Sequence, residues 1–178
     1  MPTRFPKEAV LRDGRRVLIR PFTAHDSRAL LEFFHGLPTE VRRFAWDNIE
    51  DPALVDAWAR QIDYAKTLPV LALDGQKIVA DATLHRRPRG PLRRVGRIKW
   101  LLQPEYRGQG LGTILVNDFI AIAREQGLRH LTCMLISDCE TDAVATLRDL
   151  GFDEYPIPGY GTDPDGSQHD MVKLVLKL

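Results

Sequence analysis

Apolar positions Ala29, Leu30, Phe33, Phe34 and Leu37 recur at helical spacing from Thr23 onward, and Ala53, Leu54, Ala57, Trp58 and Ile62 repeat that spacing from about Pro52 to Ala65. A pair of helices is the reading. Ahead of them, Val10 to Pro21 reads as two short strands around Asp13-Gly14, stopped by the proline. After them, Leu68 to Leu73 and Lys77 to Leu84 are compact β-type runs separated by Asp74-Gly75, and Val95 to Leu102 completes a meander. The spacing then lengthens. Gly110 to Gln126 carries Leu111, Ile114, Leu115, Phe119, Ile122 and Ala123 on one helical face and is closed by Gly127. Leu128 to Ile136 is the next strand, Glu140 to Leu150 a helix closed by Gly151, and Phe152 to Ile157 and Met171 to Leu178 are the last strands. The order βααβββαβαββ describes a mixed α/β sheet, antiparallel at first and then crossing over through helices.

Composition narrows the class. A chain of 178 residues, 44% hydrophobic and 28% charged, is expected to form one compact domain over 1–178 that buries roughly 70% of its unfolded surface. The balance of 25 Lys+Arg against 24 Asp+Glu gives +1, which argues against a general nucleic-acid binder. Cys133 and Cys139 have no companion pair at metal-ligand spacing, and the start MPTRFPKEAV is no signal peptide, so a reducing cytoplasm is the expected compartment. The stretch Leu115 to Ala123 is interrupted by Asn117 and Asp118 and is about half the length a bilayer demands, so no membrane partner is expected.

The informative segment is Leu101-Leu102-Gln103-Pro104-Glu105-Tyr106-Arg107-Gly108-Gln109-Gly110-Leu111-Gly112-Thr113: a strand, a proline, three alternating glycines and a helix. Positions without side chains let main-chain N–H groups approach phosphate oxygens, and the helix N-terminus adds roughly half a positive charge. Arg107 and Thr113 offer further donors. A dinucleotide fingerprint would need its third glycine further on than Gly112 and an acid about 20 positions on, whereas the next strand ends in Ile136-Ser137. A P-loop would need a lysine in Leu111-Gly112-Thr113. A pyrophosphate cradle for coenzyme A remains.

Arg107-Gly108-Gln109-Gly110-Leu111-Gly112 resembles the Arg/Gln-x-x-Gly-x-Gly/Ala signature of the GNAT superfamily of N-acetyltransferases, preceded by that family's strand–x–Pro approach at Leu102-Gln103-Pro104. A second matching block, Ala143 to Leu147 ending in Leu150-Gly151-Phe152, follows at the expected distance. The opening Leu11-Arg12-Asp13-Gly14 to Arg20-Pro21 and the stretch Ile62-Asp63-Tyr64 resemble the GNAT domain of bacterial protein lysine acetyltransferases that are fused to acyl-CoA-synthetase-like modules, for which 178 residues leave no room. The resemblance implies a mostly antiparallel central sheet with splayed central strands flanked by helices, and acetyl-CoA as cofactor. It implies that the backbone of Leu101, Leu102 and Gln103 bonds the pantetheine arm and that Arg107, Gly108, Gln109, Gly110, Leu111, Gly112 and Thr113 hold the pyrophosphate. The acceptor would be a primary amine, on a small molecule or a protein lysine, attacking the thioester directly in a ternary complex with an oxyanion stabilised by an N–H near Leu102. A homodimer is compatible with this family.

An amine of pKa near 10.4 lies about 3.4 units from free base at pH 7, roughly 4.6 kcal/mol of barrier unless a group removes the proton. Such families carry a glutamate on the strand before the glycine turn, where this chain has Arg97; they carry a helix asparagine where it has Glu140, and a thiolate-protonating tyrosine where it has Leu147. Glu140 and Asp81 are the acidic candidates for catalysis. Ser137-Asp138-Cys139-Glu140 also reads as a capping box with Glu140 bonded to the Ser137 N–H. Asp81 interrupts the apolar run Ile78 to Leu84, where a buried carboxylate would act as a base through water, and a solvated hairpin position is the other reading. Cys139 reads as a small buried filler or an acid beside the thiol, and His85 and His169 as surface residues.

Charge is segregated. His85 to Lys99 holds Arg86, Arg87, Arg89, Arg93, Arg94, Arg97 and Lys99 with no acid, whereas Asp138 to Asp170 has nine acids against Arg148 alone. The acidic third would gather an amine, and the basic hairpin an acidic protein surface or the cofactor 3′-phosphate. Two other classes stay open: a non-catalytic acyl-CoA-binding or sensor domain, suggested by the absent glutamate and tyrosine, and a nucleic-acid-binding module using the arginine hairpin.

Overall fold

The Asp13-Gly14 turn closes through Leu11 N–H to Arg15 O (2.8 Å) and Gly14 N–H to Leu11 O (3.0 Å), so the chain folds back at once into two antiparallel strands, β1 (Lys7–Val10) and β2 (Arg16–Pro21). This computed structural model describes residues 4–42, 45–163 and 165–178. Contacts group the chain into two units, 1–83 with 100–111, and 84–99 with 112–178. The sheet has the strand order β1-β2-β3-β4-β5-β6-β8-β7. Its further strands are β3 (Thr67–Asp74), β4 (Lys77–His85), β5 (Val95–Leu102), β6 (His130–Ile136), β7 (Asp153–Thr162) and β8 (Gln168–Lys177). The mixed, mostly antiparallel sheet is the one the order of elements predicts.

In the first unit a 3₁₀ turn (Ala24–Asp26) leads into α1 (Ser27–His35), followed by the short α2 (Thr39–Arg42) and α3 (Pro52–Arg60). Periodicity does not announce α2, whose four residues bury none of their side chains. Asp51 caps α3 by accepting the Ala53 N–H (2.9 Å), with Pro52 at the first helical position. The expected helix to Ala65 stops at Arg60 instead. Asp63 is the reason: its side chain accepts the Ala65 N–H (3.0 Å) and its carbonyl accepts from Lys66 and Thr67, a local turn that outcompetes helix. The apolar faces of α1 and α3 meet Phe22, Leu71, Leu73 and Ile78 in one core, with Phe34 edge-on to Trp58 at 6.4 Å.

Beneath this core Asp26 is buried and ties the end of β2 to the helical turn. Its carboxylate takes both Arg20 guanidinium nitrogens at 2.7 Å and the Thr23 N–H and hydroxyl at 2.8 Å. Burial alone would raise its pKa, but the Arg20 pair and the Thr23 donors outweigh it and hold the carboxyl below the ordinary value.

In the second unit α4 (Leu111–Glu125) buries Leu115, Val116, Phe119, Ile120, Ile122 and Ala123 and ends at Gly127, matching its predicted span within one or two residues. β5 and β6 run parallel, paired at Val95↔His130, Gly96↔Leu131 and Arg97↔Thr132. Both strands continue past that point, and among the described residues their mutual register ends there; β6 stays paired with β8 along its whole length. That divergence is the splay. α5 (Thr141–Asp149) starts one residue later than expected, and β7 and β8 form an antiparallel hairpin with an irregular register between Ile157 and Gly161.

Gly96 sits where the two parallel strands still touch. A Cβ there would come within 2.7 Å of Leu131, 2.9 Å of Leu84 and 3.0 Å of Leu128. Gly96→Ala is therefore expected to destabilise the protein by about 1–3 kcal/mol through overpacking, read as a lower midpoint in urea with an unchanged m-value. No helix among the described residues is long and apolar enough to cross a membrane.

Candidate active site

The turn after β5 is anchored before it reaches its glycines. The Gln103 N–H donates to Val79 O (2.9 Å), its carbonyl accepts from Tyr106 N–H (3.0 Å), and its buried side chain donates to Phe33 O (3.3 Å). A 3₁₀ turn, Pro104–Tyr106, follows; the Tyr106 hydroxyl donates to Asp74 (2.7 Å). The Arg15 guanidinium lies 3.9 Å over the Tyr106 ring, donates to Glu105 O (2.6 Å) and pairs with Asp13. Thus the tip of the β1–β2 hairpin braces the approach to the glycines. Of the three residues assigned to the pantetheine arm, Gln103 is engaged at both main-chain groups, while Leu101 and Leu102 lie half-buried at the end of β5.

Gly108 (φ 69°) and Gly110 (φ 85°) both have left-handed backbone, with Gln109 between them. A side chain at either would be strained whatever the space, and at Gly108 that space is open. Arg12 determines which way the peptides face: its N–H donates to Gln109 O (3.1 Å) and its Nη1 to Gly108 O (3.3 Å). In a trans peptide the C=O and the following N–H point in opposite directions. With the carbonyls of 108 and 109 turned to Arg12, the N–H groups of Gln109 and Gly110 point away from it, a concavity of amides suited to an anion. α4 then begins at Leu111, and the N–H groups of its first turn, through Gly112 and Thr113, lack intrahelical partners by geometry. Arg107 is exposed at the mouth of the turn; Leu111 is buried, and Gly112 and Thr113 are half-buried.

The glycine pattern is local and readable from sequence. The part played by Arg12 and Arg15 is not, since they act across 96 and 90 residues of chain; three arginines in one hairpin tip are the only trace they leave.

The acidic candidates fall in different units. Asp81 is half-buried in the middle of β4, on a strand and not on a solvated hairpin tip. Glu140 is half-buried just ahead of α5, and its Oε2 accepts the Ile136 N–H at 2.7 Å. The Ser137 N–H expected for that carboxylate goes instead to Asp170 O (3.0 Å), because the β7–β8 hairpin reaches it first. Cys133 is fully enclosed on β6, and burial, with the charge of Glu140 second, pushes its thiol far up, so it is inert. Cys139 is exposed, correcting its reading as a buried filler, and His85 and His169 are half-buried, correcting theirs as surface residues. Leu147, at the position expected to hold a tyrosine, is completely buried.

The charged regions are less uniform than their composition. Arg87, Arg89, Arg93 and Arg94 are exposed on the β4–β5 hairpin, while Arg86 donates to the Gln126 side chain. In the acidic third, Glu154 is paired with Arg148, Asp163 faces His169, and Asp170 accepts the Gly159 N–H (2.7 Å). Two of those acids, Asp163 and Asp170, bond within the β7–β8 hairpin, and Glu154 ties β7 to α5.

Comparison with known proteins places this geometry. Acetyltransferase PA5475 of Pseudomonas aeruginosa is 29% identical over 137 residues, covering 68% of this chain and 67% of that protein. The GNAT domain of S. lividans PAT superposes with a TM-score of 0.81 at 22% identity, covering 100% of this chain and 99% of that one. The structure of yncA from Salmonella typhimurium with its cofactor acetyl-CoA gives 0.76 at 20% identity, covering 91% and 94%. The model of the acetyltransferase (GNAT) family matches residues 31–152. The glycine turn, the diverging parallel strands and this match agree: the chain belongs to the GNAT acetyltransferase family.

Proposed function

We propose that this acetyltransferase moves an acetyl group from acetyl-CoA to a primary amine by direct attack in a ternary complex, the amine being a protein lysine or a small molecule. Acetyl-CoA is the cofactor of the family to which the chain belongs. When bound it supplies an acyl thioester that a neutral amine can attack. The observation that carries the reading is the pair of carbonyls at Gly108 and Gln109 held by Arg12, which turns the next two amides outward as diphosphate donors. The N-terminus of α4 adds partial positive charge to the same place, and the main chain of Leu101 and Leu102 is assigned to the pantetheine arm and the oxyanion. Neither the sensor reading nor the nucleic-acid reading gains support from the fold or the relatives.

Arg12 is a positioning residue in this scheme. Arg12→Ala keeps the main-chain bond to Gln109 and loses the guanidinium contact to Gly108, so KM for acetyl-CoA is expected to rise about fivefold with kcat unchanged, by the worth of roughly one hydrogen bond.

Proton removal falls to Glu140 or Asp81, directly or through one water. Glu140 is half-buried, with its Oε2 accepting the Ile136 N–H. Glu140→Gln retains an acceptor for that N–H and removes the base. If Glu140 takes the proton, kcat/KM falls by about 10²-fold or more while the melting temperature holds; an unchanged rate assigns the proton to Asp81, tested in the same way with Asp81→Asn. The reading as a whole is tested by mixing the chain with acetyl-CoA and a panel of lysine peptides and polyamines. Free thiol is expected with at least one acceptor. Cofactor binding without any thiol release favours the sensor, and retention on nucleic acid at physiological salt without cofactor affinity favours the third reading.

A further inference from the structure

The β4–β5 hairpin carries charge that the acetyl-transfer scheme does not use. Its loop, Arg86-Arg87-Pro88-Arg89-Gly90-Pro91-Leu92-Arg93-Arg94, holds five arginines in nine residues and no acid. Arg87, Arg89, Arg93 and Arg94 are exposed, and among the described residues none of their side chains forms an ion pair. Elsewhere Arg15, Arg16, Arg20, Arg28, Arg42 and Arg148 each face an acid. Four positive charges are left on one loop, where they repel one another until an anion joins them.

The loop is held in shape. The Arg93 N–H donates to Gly90 O (3.2 Å) and the Val95 N–H to Leu92 O (3.0 Å), two successive turns that begin at the left-handed Gly90 (φ 82°). Arg94 O accepts the Arg129 and His130 N–H groups at 2.8 and 3.3 Å, which pins the loop to the head of β6, and Pro88 and Pro91 fix two further backbone angles. Arg129, itself exposed, adds a fifth cation there. An array ordered in advance loses little freedom when it binds.

Its place in the fold excludes the cofactor as that anion. Arg86 donates to the side chain of Gln126, one residue past the C-terminal end of α4. Fifteen helical residues, about 22 Å, separate that end from the N-terminus assigned to the diphosphate. The cofactor 3′-phosphate lies one ribose from its diphosphate and falls far short of the hairpin, so the anion belongs to another molecule. Two features select its chemistry. Leu92, 47% exposed, puts an apolar contact among the guanidinium groups. The loop has no aromatic side chain on which a base could stack, and the whole chain carries only +1, so nucleic acid is poorly matched. Carboxylates take guanidinium forks two bonds at a time.

We propose that the β4–β5 hairpin docks an acidic segment of a protein, whose aspartates or glutamates meet Arg87, Arg89, Arg93 and Arg94. The inference rests on the acetyl-transfer reading in taking the docked protein as the acceptor, which makes the acetylated amine one on a protein and not a free small molecule.

The probes are a neutral lysine peptide and the same peptide joined by a Gly/Ser linker of about twenty residues, spanning roughly 25 Å, to the tail Asp₄-Leu-Asp₄. With the full chain and acetyl-CoA, the tail is expected to lower the peptide KM at least tenfold at about 50 mM salt with kcat unchanged, and to lose most of that gain at about 0.5 M. In the quadruple variant Arg87→Ser, Arg89→Ser, Arg93→Ser, Arg94→Ser the gain should vanish, while turnover of the neutral peptide and the melting temperature hold. Fluorescence anisotropy of the labelled tail without acetyl-CoA reads docking by itself, with binding to the wild type and none to the variant. If no peptide releases thiol while the tail binds the wild type alone, the transfer reading fails and the docking surface stands. Absence of tail binding overturns the proposal whether or not the neutral peptide turns over. It is overturned equally if single-stranded RNA of the same charge binds the hairpin more tightly than the tail at physiological salt, or if sedimentation shows the four arginines holding a dimer that the quadruple variant loses.

Discussion

Substituting alanine at Gly108 and Gly110 together is expected to weaken acetyl-CoA binding by a factor of about 30 to 1,000. Each site holds left-handed backbone, at φ 69° and 85°, and an L side chain there costs roughly 1–2 kcal/mol, so the pair costs about 2–4 kcal/mol. The chain can escape this cost only by rotating the peptides, which would break the two bonds to Arg12 and swing the amides of Gln109 and Gly110 out of register with a diphosphate. Steric clash is not the cause. A Cβ at Gly108 meets open space, and one at Gly110 meets only the Arg12 side chain at 3.7 Å. Calorimetry with acetyl-CoA, alongside a thermal melt, reads the effect: dissociation constant up, cooperative unfolding retained. An unchanged constant would show that the diphosphate is held elsewhere.

The second large effect concerns stability. Asp26→Ala leaves the Arg20 guanidinium and two Thr23 donors without their common acceptor, and should cost about 3 kcal/mol, or roughly 6–12 °C in melting temperature. The same carboxyl gives a pH signature. Its pKa is lower folded than unfolded, so the unfolded chain binds more protons in acid. The stabilisation is complete above the unfolded value of about 3.9 and is lost as pH falls through the lower folded value. Asp26→Asn should flatten that acid limb, and a variant whose acid limb is as steep as that of the wild type would refute the assignment.

Most of the strands were legible because their apolar runs were bounded by Asp-Gly and proline signals. Val95–Leu102 coincides with β5, and the glycine turn announced its own chemistry, since both its backbone and the helix behind it lie within a dozen residues. What escaped the sequence depends on particular hydrogen bonds, one local and the others long-range. The helix beginning at Pro52 stops at Arg60 because Asp63 bonds its neighbours, which amphipathic spacing does not weigh. The Glu140 carboxylate takes the Ile136 N–H and not that of Ser137 because the Asp170 carbonyl arrives from 33 residues away. Arg12 gives no local sign of orienting Gly108, and cysteine spacing alone does not show that Cys139 meets a histidine on a hairpin thirty residues later.

β7 is the outermost strand of the sheet, beside β8. Its sequence, Asp153-Glu154-Tyr155-Pro156-Ile157-Pro158-Gly159-Tyr160-Gly161-Thr162, removes the amide at two of ten positions and shifts register in the middle. Such a rim offers an incomplete ladder to any extended polypeptide laid against it, and the hairpin is thereby guarded against runaway strand-to-strand stacking between molecules in a crowded solution.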